Sequence, residues 1–217
     1  MIRHHPSPEL LADHARGALP EGAALVVACH VAGCALCRSE TGLWESAGGA
    51  MLDAAPPEAL SSDALDKALA RLDERTVAAG TKAAAAKPTL PGFMRRYAVP
   101  APLAQRRIGY RRWVTPNIWF APVGTDALTY LVFARRDTTL SIHTHGGREL
   151  TTVIDGAFDD TLGRFGTGDF AQTDESVEHA PRATPQGSCL CLTSSQTPMR
   201  LKYRPARIIQ SLFGMQY

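Results

Sequence analysis

The sequence predicts an α + β chain of two domains, a helical unit followed by an antiparallel β unit, and two textures joined by a linker carry that prediction. In residues 1–75 apolar side chains recur at three- and four-residue intervals between cap signals, the spacing of amphipathic helices. From Phe93 onward short apolar runs at 118–121, 127–134, 151–154 and 189–193 are separated by Pro, Gly and Asp, the texture of a β-barrel or sandwich. Residues 76–92 between them are rich in Ala and Lys and end in Pro88-x-x-Pro91-Gly92, which suits a linker. The expected units are therefore 1–75, the linker 76–92, the β domain 93–195 and a C-terminal extension of it, 196–217. A chain of 217 residues is long enough for two modest cores.

In chain order, Ser7 followed by Pro8 and Glu9 starts a short helix that runs to about Arg16, where Gly17 stops it. Pro20-Glu21 opens a second helix in which Leu25, Val26 and Cys29 share a face, so Cys29 reads as core. Gly33 suits the left-handed position that ends helices. A third helix is expected from about Ala35 to Leu52, with Gly48-Gly49 able to fray it. Ser61 or Ser62 caps a fourth from Asp63 to about Arg75, whose Leu65, Ala68, Leu69 and Leu72 form one stripe. That stripe fits either a core face of a four-helix unit or a surface left for a partner, since so small a unit has little core to share.

Charge divides the chain more sharply than its net +2 indicates. Residues 1–75 hold 6 Lys/Arg against 11 Asp/Glu, a balance of −5, and residues 76–217 hold 17 against 10, a balance of +7. An acidic helical half is a poor nucleic-acid binder and suits a basic protein surface. The Arg pairs at 95/96, 106/107, 111/112 and 135/136 read as solvated faces and strand ends, because no recognition helix accompanies them. Five cysteines do not form a secreted disulfide framework, and neither a leader nor a membrane-length apolar run is evident, so a soluble cytoplasmic protein is expected.

Two constellations carry metal chemistry. The stretch His30-Val-Ala-Gly-Cys34-Ala-Leu-Cys37 places three soft ligands within eight residues, and Cys34 and Cys37 straddle a helix start that favours thiolates. Imidazole and thiolate in a closed tetrahedron form a structural zinc site. A redox C-x-x-C is disfavoured because no βαβ pattern precedes it. The fourth ligand is His4 or His5, with His14 in reserve. Downstream, His143-Thr-His145-Gly-Gly-Arg-Glu149 puts two imidazoles on one strand face with a carboxylate close behind, and His179 follows the turn at Gly168 after ten residues. Three imidazoles and a carboxylate suit a second divalent metal, with Zn²⁺, Fe, Mn and Ni all compatible. Cys189 and Cys191 alternate with Leu190 and so face one side of a strand, as a buried pair or as a possible redox pair.

The second constellation resembles the cupin family, whose motifs run H-x-H-x3-E-x6-G, here ending at Gly156, and then a single His ten residues past a turn Gly. Asp174, Ser176 and Ala183 depart from that family's usual Pro, Gly and Asn. With the opening Arg3-His4-His5-Pro6 and the His30-x3-Cys34-x2-Cys37-Arg38 knuckle, nearly the whole chain resembles the ChrR-type zinc-dependent anti-sigma factors. The resemblance implies an N-terminal zinc-bound four-helix anti-sigma domain and a C-terminal cupin-like antiparallel β-barrel or sandwich. It implies zinc on His5, His30, Cys34 and Cys37, and a second metal, with Zn²⁺ the first candidate, on His143, His145, Glu149 and His179. It further implies a non-enzymatic regulator that holds an extracytoplasmic-function (group IV) sigma factor as a 1:1 heterodimer away from RNA polymerase. Release would follow oxidative stress such as singlet oxygen, sensed in the cupin-like half, with no direct DNA and no membrane partner. The competing reading is a metal-dependent cupin dioxygenase or isomerase carrying a structural zinc domain; an enzyme would have no use for the acidic helical unit.

Overall fold

The computed structural model describes residues 1–79, 89–124 and 128–202 of the chain. Helix α1 (Pro8–Ala15) is capped at Ser7, whose Oγ accepts the Leu10 N–H at 3.3 Å, and it ends at Gly17 with φ of 69°. Helix α2 (Glu21–Gly33) and helix α3 (Ala35–Asp53) are separated by Cys34 alone. The expectation of a left-handed Gly33 is corrected here. Gly33 stays helical, and Cys34, extended at φ −108° and ψ 109°, makes the break as the last cap of one helix and the first of the next. Gly48 and Gly49 lie inside α3 without interrupting it.

Helix α4 (Ala64–Ala79) begins at the expected place and runs four residues into the segment read as linker. Its stripe does not close a four-helix core: Leu65, Leu69 and Leu72 are all more than half exposed. Of the expected linker, residues 80–88 lie outside the described residues. The chain then makes a 3₁₀ turn at Gly92–Met94 and the single-turn helix α5 (Ala101–Ala104), which packs beside α2. The β unit thus opens later than the change of texture at Phe93, with its first strand at Arg112.

A six-stranded antiparallel sheet is formed by β1 (Arg112–Thr115), β2 (Ile118–Pro122), β3 (Thr129–Ala134), β5 (Glu149–Asp155), β8 (Phe170–Thr173) and β10 (Cys189–Ser195). Its order is β1-β2-β3-β10-β5-β8. Strands β6 (Ala157–Asp160), β7 (Gly163–Gly166) and β9 (Arg182–Ala183) make a three-stranded sheet, and β4 (His143–Thr144) pairs with β11 (Arg200–Leu201). β11 carries the expected C-terminal extension into the β unit as far as Leu201; residues 203–217 lie outside the described residues.

Alternation along the strands sends side chains to two different cores. Leu150 and Ile154 of β5 and Leu190 and Leu192 of β10 join Trp119, Leu131 and Phe133 on the outer face, where they meet Leu25, Val26 and Val27 of α2 and Leu10 and Leu11 of α1. Val153, Phe158, Phe165, Ala171 and Cys189 fill the inner face. Helix α2 is apolar almost all round because it is enclosed between the other helices and the sheet. The helical and β units therefore share one continuous core. Among the described residues no single helix is long and apolar enough to cross a membrane.

Candidate metal centres

The break at Cys34 folds α3 back on α2, and this brings His30, near the end of α2, to Cys37 in the first turn of α3. His30 Nε2 lies 3.3 Å from Cys37 Sγ. His5, in the extended segment ahead of α1, points Nδ1 at both sulfurs, 3.5 Å from Cys34 Sγ and 3.3 Å from Cys37 Sγ. Four ligand atoms thus converge within 4.8 Å of one another. His4 is not among them: its Nε2 lies 3.1 Å from the Arg164 carbonyl and its ring packs on Phe165 at 4.4 Å. His14, the reserve candidate, is also outside the cluster.

The electrostatics of this first cluster suit a cation. His30 Nδ1–H donates to the Gly168 carbonyl at 2.8 Å, which leaves the Nε2 lone pair facing the cluster. Burial holds the His30 imidazole down at about 4, so it is neutral and able to ligate at physiological pH. Burial and then the neighbouring Cys34 push the Cys37 thiol up to about 12 without a metal. A divalent cation would relieve that by taking the sulfur as thiolate. Thr41 Oγ1–H donates to the Cys37 carbonyl at 2.8 Å, steadying the first turn of α3.

The second cluster sits inside the β unit and joins His143, His145, Glu149 and His179, again within 4.8 Å and all four buried. His143 comes from β4 and Glu149 from the first position of β5, and His143 and His179 meet through a backbone bridge in which each N–H reaches the other's carbonyl. His143 Nδ1–H donates to the Ser141 carbonyl at 2.8 Å, and His179 Nδ1–H to Asp160 Oδ2 at 2.7 Å, so both rings present Nε2 inward. His145 Nε2 approaches Glu149 Oε2 to 2.8 Å. Nε2 of His179 is buried without a hydrogen-bond partner, and His145 Nε2 meets only the Glu149 carboxylate, so a metal ion among them would take up these inward nitrogens and the carboxylate together.

Burial alone would raise the Glu149 carboxyl, but the surrounding imidazoles outweigh it and hold it below the usual carboxylate range. Burial likewise opposes ionisation of Asp160, yet its bond to His179 keeps it low. The pair of a ring and its carboxylate is the arrangement that fixes a ligand's tautomer. Asp160 and Gly168 were not recoverable from spacing, because each meets its histidine from a distant part of the chain, whereas the Ser141 carbonyl lies only two residues ahead of His143.

Cys189 and Cys191 share the inner face as expected, with Sγ atoms 3.6 Å apart. They line a mostly apolar cavity with Phe120, Leu140 and Phe158, onto which His143, Glu149 and His179 open. The neighbouring Cys189 and then burial push the Cys191 thiol well up, so it is protonated and a weak nucleophile. Cys29 is core, as read, with burial pushing its thiol up to about 12.

Comparison with known proteins agrees with this architecture. Residues 111–198 match the family described as the ChrR cupin-like domain. The anti-sigma-E factor ChrR of Cereibacter sphaeroides is 35% identical over 219 residues, covering 98% of this chain and 98% of that protein. A chain in the crystal structure of Rhodobacter sphaeroides SigE in complex with the anti-sigma ChrR is 32% identical, with a TM-score of 0.72, over 90% of this chain and 100% of that one. The relationship spans both clusters and the helices between them, and it is to a regulator rather than to a cupin enzyme. This chain belongs to the ChrR family of anti-sigma factors.

Proposed function

We propose that this protein binds an extracytoplasmic-function sigma factor as a 1:1 heterodimer and keeps it from RNA polymerase in the cytoplasm. In this reading the first cluster holds a structural Zn²⁺ and the second a divalent metal, Zn²⁺ being the first candidate, at a stress-sensing site. Two thiolates and two imidazoles make a closed set with no open position for chemistry, the composition of structural zinc. The observation that carries the proposal is the apolar surface that the helical unit leaves in water. On α3, Leu36, Leu43, Met51 and Leu52 are more than half exposed and Trp44 is 44% exposed; Leu65 and Leu69 of α4 add to them. Several large apolar side chains left in water on two helices suit a protein interface, and here they lie in the acidic part of the chain, which suits a basic partner.

Stress such as singlet oxygen, acting at the second cluster, would end the inhibition. The high thiol pKa of Cys191 favours the metal site over the Cys189–Cys191 pair as the input. The test of binding is co-expression of the full chain with the sigma factor encoded beside it. A stoichiometric complex is expected, and Leu43→Asp with Leu69→Asp should weaken it by at least about 100-fold, because each places a charge in a desolvated contact. Undiminished binding by the double variant, with its fold intact by circular dichroism, would place the interface elsewhere.

A further inference from the structure

All four ligands of the first cluster lie in residues 1–37, yet two of them are held by the β unit. The segment ahead of α1 has no helix or strand of its own. Arg3 and His4 donate their backbone N–H groups to Asp169 Oδ1 at 2.6 and 3.1 Å, and the His4 carbonyl accepts the Phe170 N–H at 3.1 Å. These bonds fix the residues immediately ahead of His5. Asp169 itself is steadied by the Gly166 N–H, which donates to Oδ2 at 2.8 Å. His30 is fixed from the same turn through the Gly168 carbonyl. At Gly168, with φ of 88°, a Cβ would sit 2.8 Å from the Ile2 side chain, so the turn and the N-terminal segment are in close contact.

The same turn leads straight to the second cluster. β8 pairs with β5 in the register Phe170 to Thr152 and Thr173 to Glu149. At the far end Thr173 Oγ1–H donates to Glu149 Oε2 at 3.4 Å. At the near end Thr152 Oγ1–H donates to the Val26 carbonyl at 2.9 Å, the carbonyl that in an α-helix also receives the His30 N–H. Three strand steps, roughly 10 Å, separate the two ends.

We infer that the turn 166–170 is a working part of the first metal centre, with Asp169 as a positioning residue, and that the paired strands β5 and β8 couple the two centres. The inference rests on the reading that the first cluster holds a metal. It supplies what that reading lacks, a route by which a change at Glu149 reaches the ligands His5 and His30 of the partner-binding half. Coupling of this kind runs both ways, so each centre's occupancy should alter the other's affinity.

The test uses the full chain stripped of metal and titrated with Co²⁺, whose thiolate-to-cobalt absorption reports the cysteine-containing centre. The band should appear in the unsubstituted chain, weaken in Cys34→Ser and vanish in Cys34→Ser with Cys37→Ser; its absence from the unsubstituted chain would sink the metal reading itself. Asp169→Ala should lower Co²⁺ affinity at this centre about 10- to 100-fold and change the ligand-field bands, the usual effect of removing a ligand's support. Asp169→Asn, which keeps an oxygen for Arg3 and His4, should restore most of both. If Asp169→Ala loses its near-ultraviolet circular dichroism, the Asn variant decides, with a loss of several-fold expected. Affinity and spectrum equal to those of the unsubstituted chain in a folded Asp169→Ala, or in Asp169→Asn where Asp169→Ala does not fold, would overturn the positioning role. For the coupling, His145→Ala should shift Co²⁺ affinity at the thiolate centre when Asp169 is present and shift it less in Asp169→Ala. Additive effects in that cycle would overturn it.

Discussion

His30 uses its two ring nitrogens differently, one bound to the Gly168 carbonyl and one turned to the cysteines, and burial holds the ring neutral. His143 is arranged alike, with Nδ1 on Ser141 and burial holding it at about 4. Between their ordinary value of 6.5 and about 4, the unfolded chain therefore takes up protons at both rings that the folded, metal-free chain refuses. The sign is that stability is full above pH 6.5 and falls as pH drops through this window, by up to about 3 kcal/mol for each ring. His179 opposes them: although burial pushes it down, Asp160 and Glu149 raise it overall, so its contribution is present at low pH and lost as pH rises. The urea midpoint of the metal-free chain should consequently drop between pH 7 and pH 4.5, and a flat midpoint would show that these rings are not buried neutral. The candidate ligands within each motif, His30, Cys34, Cys37, His143, His145 and Glu149, were legible because metal spacing is local there, whereas the choice of His5 over His4 came from the family resemblance. Asp160 and Gly168, which bind ligand rings, were not, since each meets its histidine across a long stretch of chain, and Asp169 is as remote from the Arg3 and His4 N–H groups it accepts ahead of His5.

At the scale of elements, the four helices and their order followed from caps and periodicity, and the strand runs from their turn signals. What was missed is that α2 covers the sheet, although a signal for it existed. A sheet open to water on one face alternates apolar with polar residues, whereas β2, β5 and β10 carry runs of buried successive positions. The apolar runs 118–121 and 189–193 are the mark of a sheet covered on both faces, and read so they call for a helix above it. The turn glycine of the cupin-like motif was legible for a stricter reason. Gly156 has φ of 81°, and a Cβ there would lie 2.0 Å from the Ser188 carbonyl oxygen, in backbone that cannot swing aside. Gly156→Ala should cost about 2–4 kcal/mol, from the left-handed backbone and from parting β5 from β10. Thermal melting of the metal-loaded chain checks this, and an unchanged midpoint would mean that the turn rearranges freely.

For the whole molecule, the shared core sets how a change in the β unit can reach the helical unit. Were the two units joined only by a tether, a change at the second cluster could reach the first only through the linker. Here α2 lies on the sheet that carries Glu149, while the apolar side chains of α3 and α4 are left exposed. Under the proposed function, partner binding would use the exposed side of the helices and sensing the sheet side, so that each could be altered without cutting the other away. His143→Ala removes one of four ligands and leaves the α3 and α4 surface intact. The affinity for the sigma factor should therefore change by less than about tenfold, or 1.4 kcal/mol. In cells carrying it, sigma-dependent transcription should be repressed normally without stress and should stay repressed under singlet oxygen, because the site that registers the stress is incomplete. Cys189→Ser with Cys191→Ser is the decisive counterpart, since a thiol input would instead be oxidised stepwise and restored by reductant. A reporter measured in both strains separates the two: loss of the response in the cysteine variant with retention in His143→Ala would make the thiols the sensor and the second metal a structural one.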